Sequence, residues 1–206
     1  MIRLTGGEWN RRQLTAPPGR KTRPTTARVR QSVMAKLTSH LPGARILDVF
    51  AGSGAMSFEA LSRGATYALL FERDRHASRL IEENARRLAL DANRLKVRTG
   101  DALRLLRESA AAPFDILYLD PPYGYEHWQE TLGLLVEYAW LVPGGLTLAE
   151  RRRRDPAPTA EGWQESQAWI YGDTVVSVLE CAATSPIMAM PFLLGEADSD
   201  EHNSPC

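Results

Sequence analysis

The chain has 206 residues, 44% of them hydrophobic, which allows one sizeable core and is short for two full domains. The chain has no run of about 18 apolar residues that could span a bilayer. Charges occupy the N-terminal stretch where a secretory signal would be apolar. Cys181 and Cys206 do not support a disulfide framework, and spacing typical of metal ligands is absent. We therefore expect a cytoplasmic protein with no membrane partner and no metal site.

The net charge of zero hides an uneven distribution along the chain. Nine lysines and arginines precede residue 37, opposed only by Glu8, whereas the final segment is acidic. A basic arm favours a polyanionic partner, because neutralised phosphates release counterions, although a merely solvated surface is the alternative. We expect a basic arm with a helix at residues 1–40, a cofactor-binding domain at 41–183 and a disordered acidic tail at 184–206.

The predicted elements alternate between helix and strand. Apolar residues at helical spacing predict a first helix at residues 27–37, followed by strands at 45–50, 67–71, 95–98, 114–119 and 145–148. Further helices are expected at 55–62, 75–90, 102–109 and 125–141, and a loop at 151–162. Strands at 164–171 and 174–180 flank Gly172-Asp173, which fits a tight hairpin turn. This order predicts an α/β fold with a seven-stranded, mostly parallel sheet that ends in an antiparallel hairpin.

A turn rich in small residues follows the first predicted strand and can bring a ligand close to the backbone. Ser57 takes the third glycine position of a G-x-G-x-x-G motif, so a dinucleotide pyrophosphate is less favoured. Acids after the second and third strands can accept hydrogen bonds from ribose hydroxyls and from an adenine amino group. Each feature alone fits an ordinary turn or surface acid, but together they predict a nucleotide-cofactor site formed by Asp48, Phe50, Ala51, Gly52, Ser53, Gly54, Glu72, Arg73, Asp101 and Ala102.

Asp120-Pro121-Pro122-Tyr123 directly follows the fourth predicted strand. The exocyclic amine of a base is a poor nucleophile, because its lone pair is delocalised into the ring. Acceptors on its two N–H bonds, the Asp120 carboxylate and the Pro121 carbonyl, would localise that pair, and the prolines would stiffen the loop. Tyr123 can stack on the base, and Asp120 can stabilise the developing positive charge. A plain proline turn with a buried tyrosine is the alternative.

With these residues in place, the chain resembles class I methyltransferases, and more closely the RsmD type of bacterial 16S rRNA guanine-N2 methyltransferase. The resemblance spans residues 2–181, and it is carried by Ile2-Arg3, Gly6-Gly7, Trp9, Arg23 to Thr26, Arg28 to Arg30, 47–54, 58–64, Asp120 to Tyr123 and 171–174.

The resemblance implies a Rossmann-like class I methyltransferase fold with a basic N-terminal extension, and S-adenosylmethionine as cofactor. It also implies methylation of a guanine N2 in 16S rRNA, in a small ribosomal subunit or its assembly intermediate, and we expect the enzyme to be a monomer. It assigns Asp120, Pro121 and Tyr123 to catalysis. The RNA side would comprise Arg23, Thr25, Arg28, Arg30 and Pro122.

Three other functions fit part of the pattern. A DNA adenine or cytosine amino-methyltransferase would use the same tetrapeptide, but no separate target-recognition domain is evident. A glutamine-modifying protein methyltransferase would favour Asn at position 120, because an amide both donates and accepts. A noncatalytic RNA-binding scaffold would keep the fold and the basic arm, but the intact Asp120 to Tyr123 loop argues against it.

Overall fold

The computed structural model describes residues 1–17 and 27–182, so Arg23, Thr25 and the predicted acidic tail lie outside the described residues. The helices of this part are Ala27–Lys36 (α1), Ala55–Ser62 (α2), Arg75–Arg87 (α3), Ala102–Leu106 (α4) and Trp128–Glu137 (α5). The strands are Ile2–Arg3 (β1), Gln13–Leu14 (β2), Arg45–Asp48 (β3), Tyr67–Glu72 (β4), Leu95–Thr99 (β5), Phe114–Leu119 (β6), Leu141–Arg152 (β7), Trp163–Tyr171 (β8) and Thr174–Cys181 (β9). None of these helices is long and apolar enough to cross a membrane.

Seven strands form one sheet in the order β5-β4-β3-β6-β7-β9-β8. The first five of these pair in parallel, and β9 and β8 close the edge as an antiparallel hairpin. The hairpin turns at Gly172, whose φ of 63° is the left-handed conformation that a tight turn requires. The predicted seven-stranded α/β architecture is confirmed.

Helices cover both faces of the sheet because the central strands bury side chains on both sides. Ile46 faces a core that includes Phe58 of α2 and Ile81 of α3. Its neighbour Leu47 faces the opposite core, which includes Leu106 of α4 and Leu132 of α5. Because strands β3 to β7 are parallel, their carboxyl ends meet at one edge of the sheet, where the loops can form a site.

The prediction of a loop at residues 151–162 is wrong for its first two residues. Strand β7 continues through Arg152, because Glu150, Arg151 and Arg152 keep pairing with β9 after β6 has ended. Sequence reasoning also placed the start of this strand too late, since β7 begins at Leu141 and carries an irregularity in its pairing with β6. Helix α5 is shorter than predicted, and Ala139 (φ 50°) follows its end in the left-handed region.

A small N-terminal hairpin of β1 and β2 packs on helix α2 and was not predicted from the sequence. Its residues Leu4, Trp9 and Leu14 are buried in the same core as α1 and α2. The backbone contact is close at Gly7 (φ 73°), where a Cβ atom would lie 1.8 Å from the carbonyl oxygen of Ser62. Only glycine fits there, so this residue lets the hairpin dock against the end of α2.

Candidate active site

A cavity of about 890 Å³ opens at the carboxyl edge of the parallel strands. Segments far apart in the sequence form its walls, including Ile2 and Pro17 beside the N-terminal hairpin. The structure brings together most of the residues predicted for the site. Lining this cavity are Asp48, Phe50, Ala51, Gly52, Ser53, Glu72, Arg73, Asp101, Ala102, Asp120, Pro121, Pro122, Tyr123 and Arg30.

Asp48 sits at the end of β3, and it is buried although it lines the cavity. The hydroxyl of Ser57, in the first turn of α2, donates a hydrogen bond to Oδ2 of Asp48 at a distance of 3.0 Å. Burial raises the pKa of Asp48 to about 7; the charge of Glu72 adds to this rise, while hydrogen bonds from Ser57 and the Phe50 backbone oppose it. This carboxyl group therefore changes charge near neutral pH, next to the glycine turn.

The glycine turn brings backbone close to the cavity floor. Gly54 (φ 73°) precedes α2, and a Cβ atom there would press against Leu70, Phe58 and Ile81 at 3.1 to 3.3 Å. Gly54 itself does not line the cavity, although Gly52 does. Ser57, at the third position of the motif, uses its hydroxyl to hydrogen-bond Asp48.

Glu72 and Asp101, the acids predicted to meet a nucleoside, both line the cavity. Glu72, at the end of β4, accepts hydrogen bonds from the Gly52 and Asp74 backbone N–H groups at 2.7 Å each. Asp101 caps α4 by accepting from the Arg104 N–H at 3.2 Å. Buried Phe71 also lines the cavity, so two carboxylate acceptors and an aromatic ring are present, which fits the ribose and adenine of S-adenosylmethionine.

Asp120 follows β6 in an acidic part of the cavity. The buried Tyr118 hydroxyl, two residues earlier in the strand, donates to Glu150 of β7. Burial raises the pKa of Tyr118 well above its usual value, and the charges of Glu150, Asp120 and Asp48 raise it further. This edge of the cavity therefore carries several acids around one neutral hydroxyl, which suits a cation or a nitrogen that becomes positive.

Aromatic rings line the loop after Asp120. Tyr123 is 51% exposed at the cavity rim, and the guanidinium carbon of Arg152 lies 3.3 Å from its ring centre. Tyr125 packs edge-on against Phe50 with ring centres 5.3 Å apart, and its hydroxyl is 2.6 Å from that of Thr131. The loop is thereby anchored to α5 and to the glycine turn, while Tyr123 stays accessible.

Arg28 and Arg30, both predicted for the RNA side, differ in their exposure to solvent. Arg28 is exposed near the start of α1. Arg30 is 3% exposed, and its Nε lies 3.4 Å from Oε1 of Glu59 while its Nη2 donates to the Arg3 carbonyl at 2.8 Å. Arg30 is thus held by protein groups, and RNA could reach it only through the cavity that it lines.

Sequence reasoning missed several cavity residues. Glu150 is an acid just after the fifth predicted strand, so the rule that identified Glu72 and Asp101 could have found it. Tyr118 has no such signal, because a tyrosine within a buried strand looks like a core residue. Ile2 and Pro17 could not be predicted, since only the docking of the N-terminal hairpin brings them to the cavity.

Comparisons with known proteins identify the family of this chain. The family model described as "Conserved hypothetical protein 95" matches residues 2–180. Ribosomal RNA small subunit methyltransferase D of Escherichia coli strain K12 is 32% identical over 200 residues, which cover 97% of this chain and 94% of that protein. The Haemophilus influenzae protein of the same name is 31% identical over 163 residues, covering 79% and 84%.

Two solved structures of similar proteins also match this chain. Escherichia coli yhhF matches with a TM-score of 0.78 and 32% identity, covering 87% of this chain and 97% of that one. HI0767 from Haemophilus influenzae matches with a TM-score of 0.73 and 27% identity, covering 86% and 97%. Because the family model spans nearly all the described residues and a relative is 32% identical over 97% of the chain, the chain belongs to the ribosomal RNA small subunit methyltransferase D family.

Proposed function

We propose that this chain uses S-adenosylmethionine to methylate the exocyclic N2 of a guanine in 16S rRNA. The observation that carries the proposal is a single cavity lined both by Asp120 and Tyr123 of the loop after β6 and by Asp48 and Glu72 at the ends of β3 and β4. The names of the two relatives support a small-subunit RNA as substrate. We further propose that the enzyme works as a monomer in the cytoplasm, on a small subunit or its assembly intermediate.

The cofactor would supply an electrophilic methyl group on a sulfonium centre. In the proposed arrangement, Glu72 binds the ribose hydroxyls, Asp101 and Ala102 meet the adenine, and Phe50 to Gly54 with Arg73 complete the cofactor side. Asp48 and Glu150, which also line the cavity, would stabilise the positive charge of the sulfonium.

The target amine would be held by the loop after β6. Asp120 accepts one N–H and the Pro121 carbonyl accepts the other, so the nitrogen lone pair points toward the methyl group. Tyr123 stacks on the base, and Pro122 limits the freedom of the loop. As the nitrogen becomes positive, the Asp120 carboxylate stabilises it and then accepts its proton.

The function is tested with purified protein, methyl-labelled cofactor and small ribosomal subunits that lack the modification. After digestion of the RNA, the expected labelled nucleoside is N2-methylguanosine. Label on adenine or cytosine, or on DNA instead of RNA, would contradict the guanine assignment. Bound cofactor with no label on any nucleic acid would favour a noncatalytic scaffold.

The role of Asp120 is tested in the same assay. Asp120→Ala should lower kcat by about a hundredfold or more, because acid–base and electrostatic help at the amine is lost. Cofactor affinity should stay within about tenfold of the wild type, since the residue acts on the reacting amine. Glu126→Ala, an exposed acid on the same loop that is absent from the cavity wall, is the matched control. Normal turnover of Asp120→Ala would exclude the proposed role.

A further inference from the structure

Strand β7 carries an arginine onto the loop proposed to hold the target base. The pairing of β6 with β7 ends at Leu119 and Ala149, yet β7 continues for three residues along β9. Its last residue, Arg152, reaches Tyr123, with 3.3 Å between the guanidinium carbon and the ring centre. At this distance the planar guanidinium covers the ring in a cation–π contact.

The four consecutive arginines that begin at residue 151 have different environments. Arg151 is held by protein groups, donating to the Ser177 hydroxyl at 3.2 Å and to the Asp155 carbonyl at 3.0 Å. Arg153 and Arg154 are exposed beyond the strand. Neighbouring strand residues point to opposite faces, so Arg152 shares the face of Glu150, which lines the cavity. Arg152 is therefore the member of the run that the strand directs to the site.

The contact leaves the hydrogen-bonding capacity of Arg152 unused by the described part of the chain. No hydrogen bond or ion pair joins its guanidinium to a described residue; its contact there is the Tyr123 ring. A stacked guanidinium keeps its N–H groups in the plane of the fork, where they can donate to phosphate oxygens. Tyr123 remains 51% exposed, so ring surface is available to a second stacking partner.

We propose that Arg152 is a substrate-positioning residue, which rests on the proposed methylation of RNA. It holds one face of Tyr123 so that the target base stacks on the other, and its N–H groups bind a phosphate of the same RNA segment. The two contacts need different properties of arginine, the planar π-system for the ring and the fixed fork for the phosphate. A lysine would supply a positive charge but neither the planar π-system nor the fixed fork.

The test compares Arg152→Ala, Arg152→Lys and the matched control Arg153→Ala, with small subunits as substrate. Arg152→Ala should lower kcat/KM about tenfold, mainly through KM, in line with the loss of one stacking interaction. Arg152→Lys should recover less than about a third of this loss, because lysine is a point charge without the planar fork. Arg153→Ala should change kcat/KM by less than about twofold, and high salt should remove the difference, as for a screened surface charge.

Cofactor affinity and thermal stability check that each variant is folded. Equal effects of Arg152→Ala and Arg153→Ala would overturn the inference, as would full activity of Arg152→Lys, because either result reduces Arg152 to a general positive charge. If Arg152→Ala does not fold, the kcat/KM values of Arg152→Lys and Arg153→Lys are compared instead. Equal values would overturn the inference, and a lower value for Arg152→Lys would support it. A folded wild type that methylates no nucleic acid would overturn the proposed function and this inference together.

Discussion

At the scale of single residues, Asp48 links the cavity to the stability of the fold. Burial raises its pKa from 3.8 to about 7, so the unfolded chain loses this proton at a lower pH than the folded chain does. The favourable contribution of the protonated group is complete below about pH 4, and it is lost as the pH rises to about 7. A cationic cofactor in the cavity would favour the ionised form and offset part of this loss.

Asp48→Asn should remove this pH dependence, because the amide keeps a hydrogen-bonding group but does not ionise. Because the pKa of Asp48 rises from 3.8 to about 7, the corresponding change in the free energy of unfolding is on the order of 4 kcal/mol. Denaturant unfolding of wild type and variant at several pH values between about 4 and 8 measures the difference. The surface change Asp91→Asn serves as control, and parallel pH profiles for wild type and Asp48→Asn would contradict the prediction.

At the scale of elements, Glu59 of α2 joins the N-terminal hairpin to the rest of the molecule. Its carboxylate is fully buried and accepts from the Thr5 backbone N–H at 2.8 Å. It also pairs with Arg30 of α1 and with Arg63 at the end of α2. Loss of this acid would leave two arginines without their buried partner. The resulting loss of folding free energy is larger than the net contribution of the ion pairs themselves.

Glu59→Ala should therefore lower the free energy of unfolding by about 3 to 5 kcal/mol. Glu83→Ala, an exposed acid on α3, should lower it by less than about 0.5 kcal/mol. Denaturant unfolding monitored by tryptophan fluorescence is suitable, because Trp9 in the hairpin is buried. Similar effects of the two variants would show that the network does not hold the hairpin.

Elements differ in how far the sequence predicts them. The parallel strands other than β7, such as Phe114–Leu119, were predicted closely, because strands buried on both faces appear as continuous apolar runs. The N-terminal hairpin was not, since two-residue strands such as Ile2–Arg3 have no measurable period. Helix ends were placed too late, because the left-handed residues Ala89 and Ala139 are alanines and give no stop signal.

At the scale of the whole molecule, the acids of the cavity could be predicted because parallel strands end at the same edge. Asp48 and Glu72 end two such strands, Asp101 and Asp120 follow two others, and all four line the cavity. The partner of Arg30 could not be predicted, since Glu59 lies 29 residues away and only tertiary packing brings them together. Contacts between distant segments are thus the part of the site that patterns along the sequence leave out.

The uneven charge of the chain predicts salt-dependent RNA binding. Arg28 is exposed on α1, so we expect it to contact a phosphate. Arg28→Ala should reduce the slope of log affinity against log salt by about 0.7 to 0.9, the value for one phosphate contact. Lys96→Ala, on the edge strand β5 and absent from the cavity wall, is the control. Identical slopes for wild type and Arg28→Ala, from titrations at several salt concentrations, would remove Arg28 from the interface.

The alternation along β7 also affects which changes in chain length the site can tolerate. A one-residue insertion or deletion in a strand moves every later side chain to the opposite face. Because positions 151 to 154 are all arginine, a one-residue deletion before Arg152 would put another arginine over Tyr123. The run of arginines thus keeps an arginine at the rim of the site after a single-codon insertion or deletion. Substitutions elsewhere in the loop could not compensate for such a change in length.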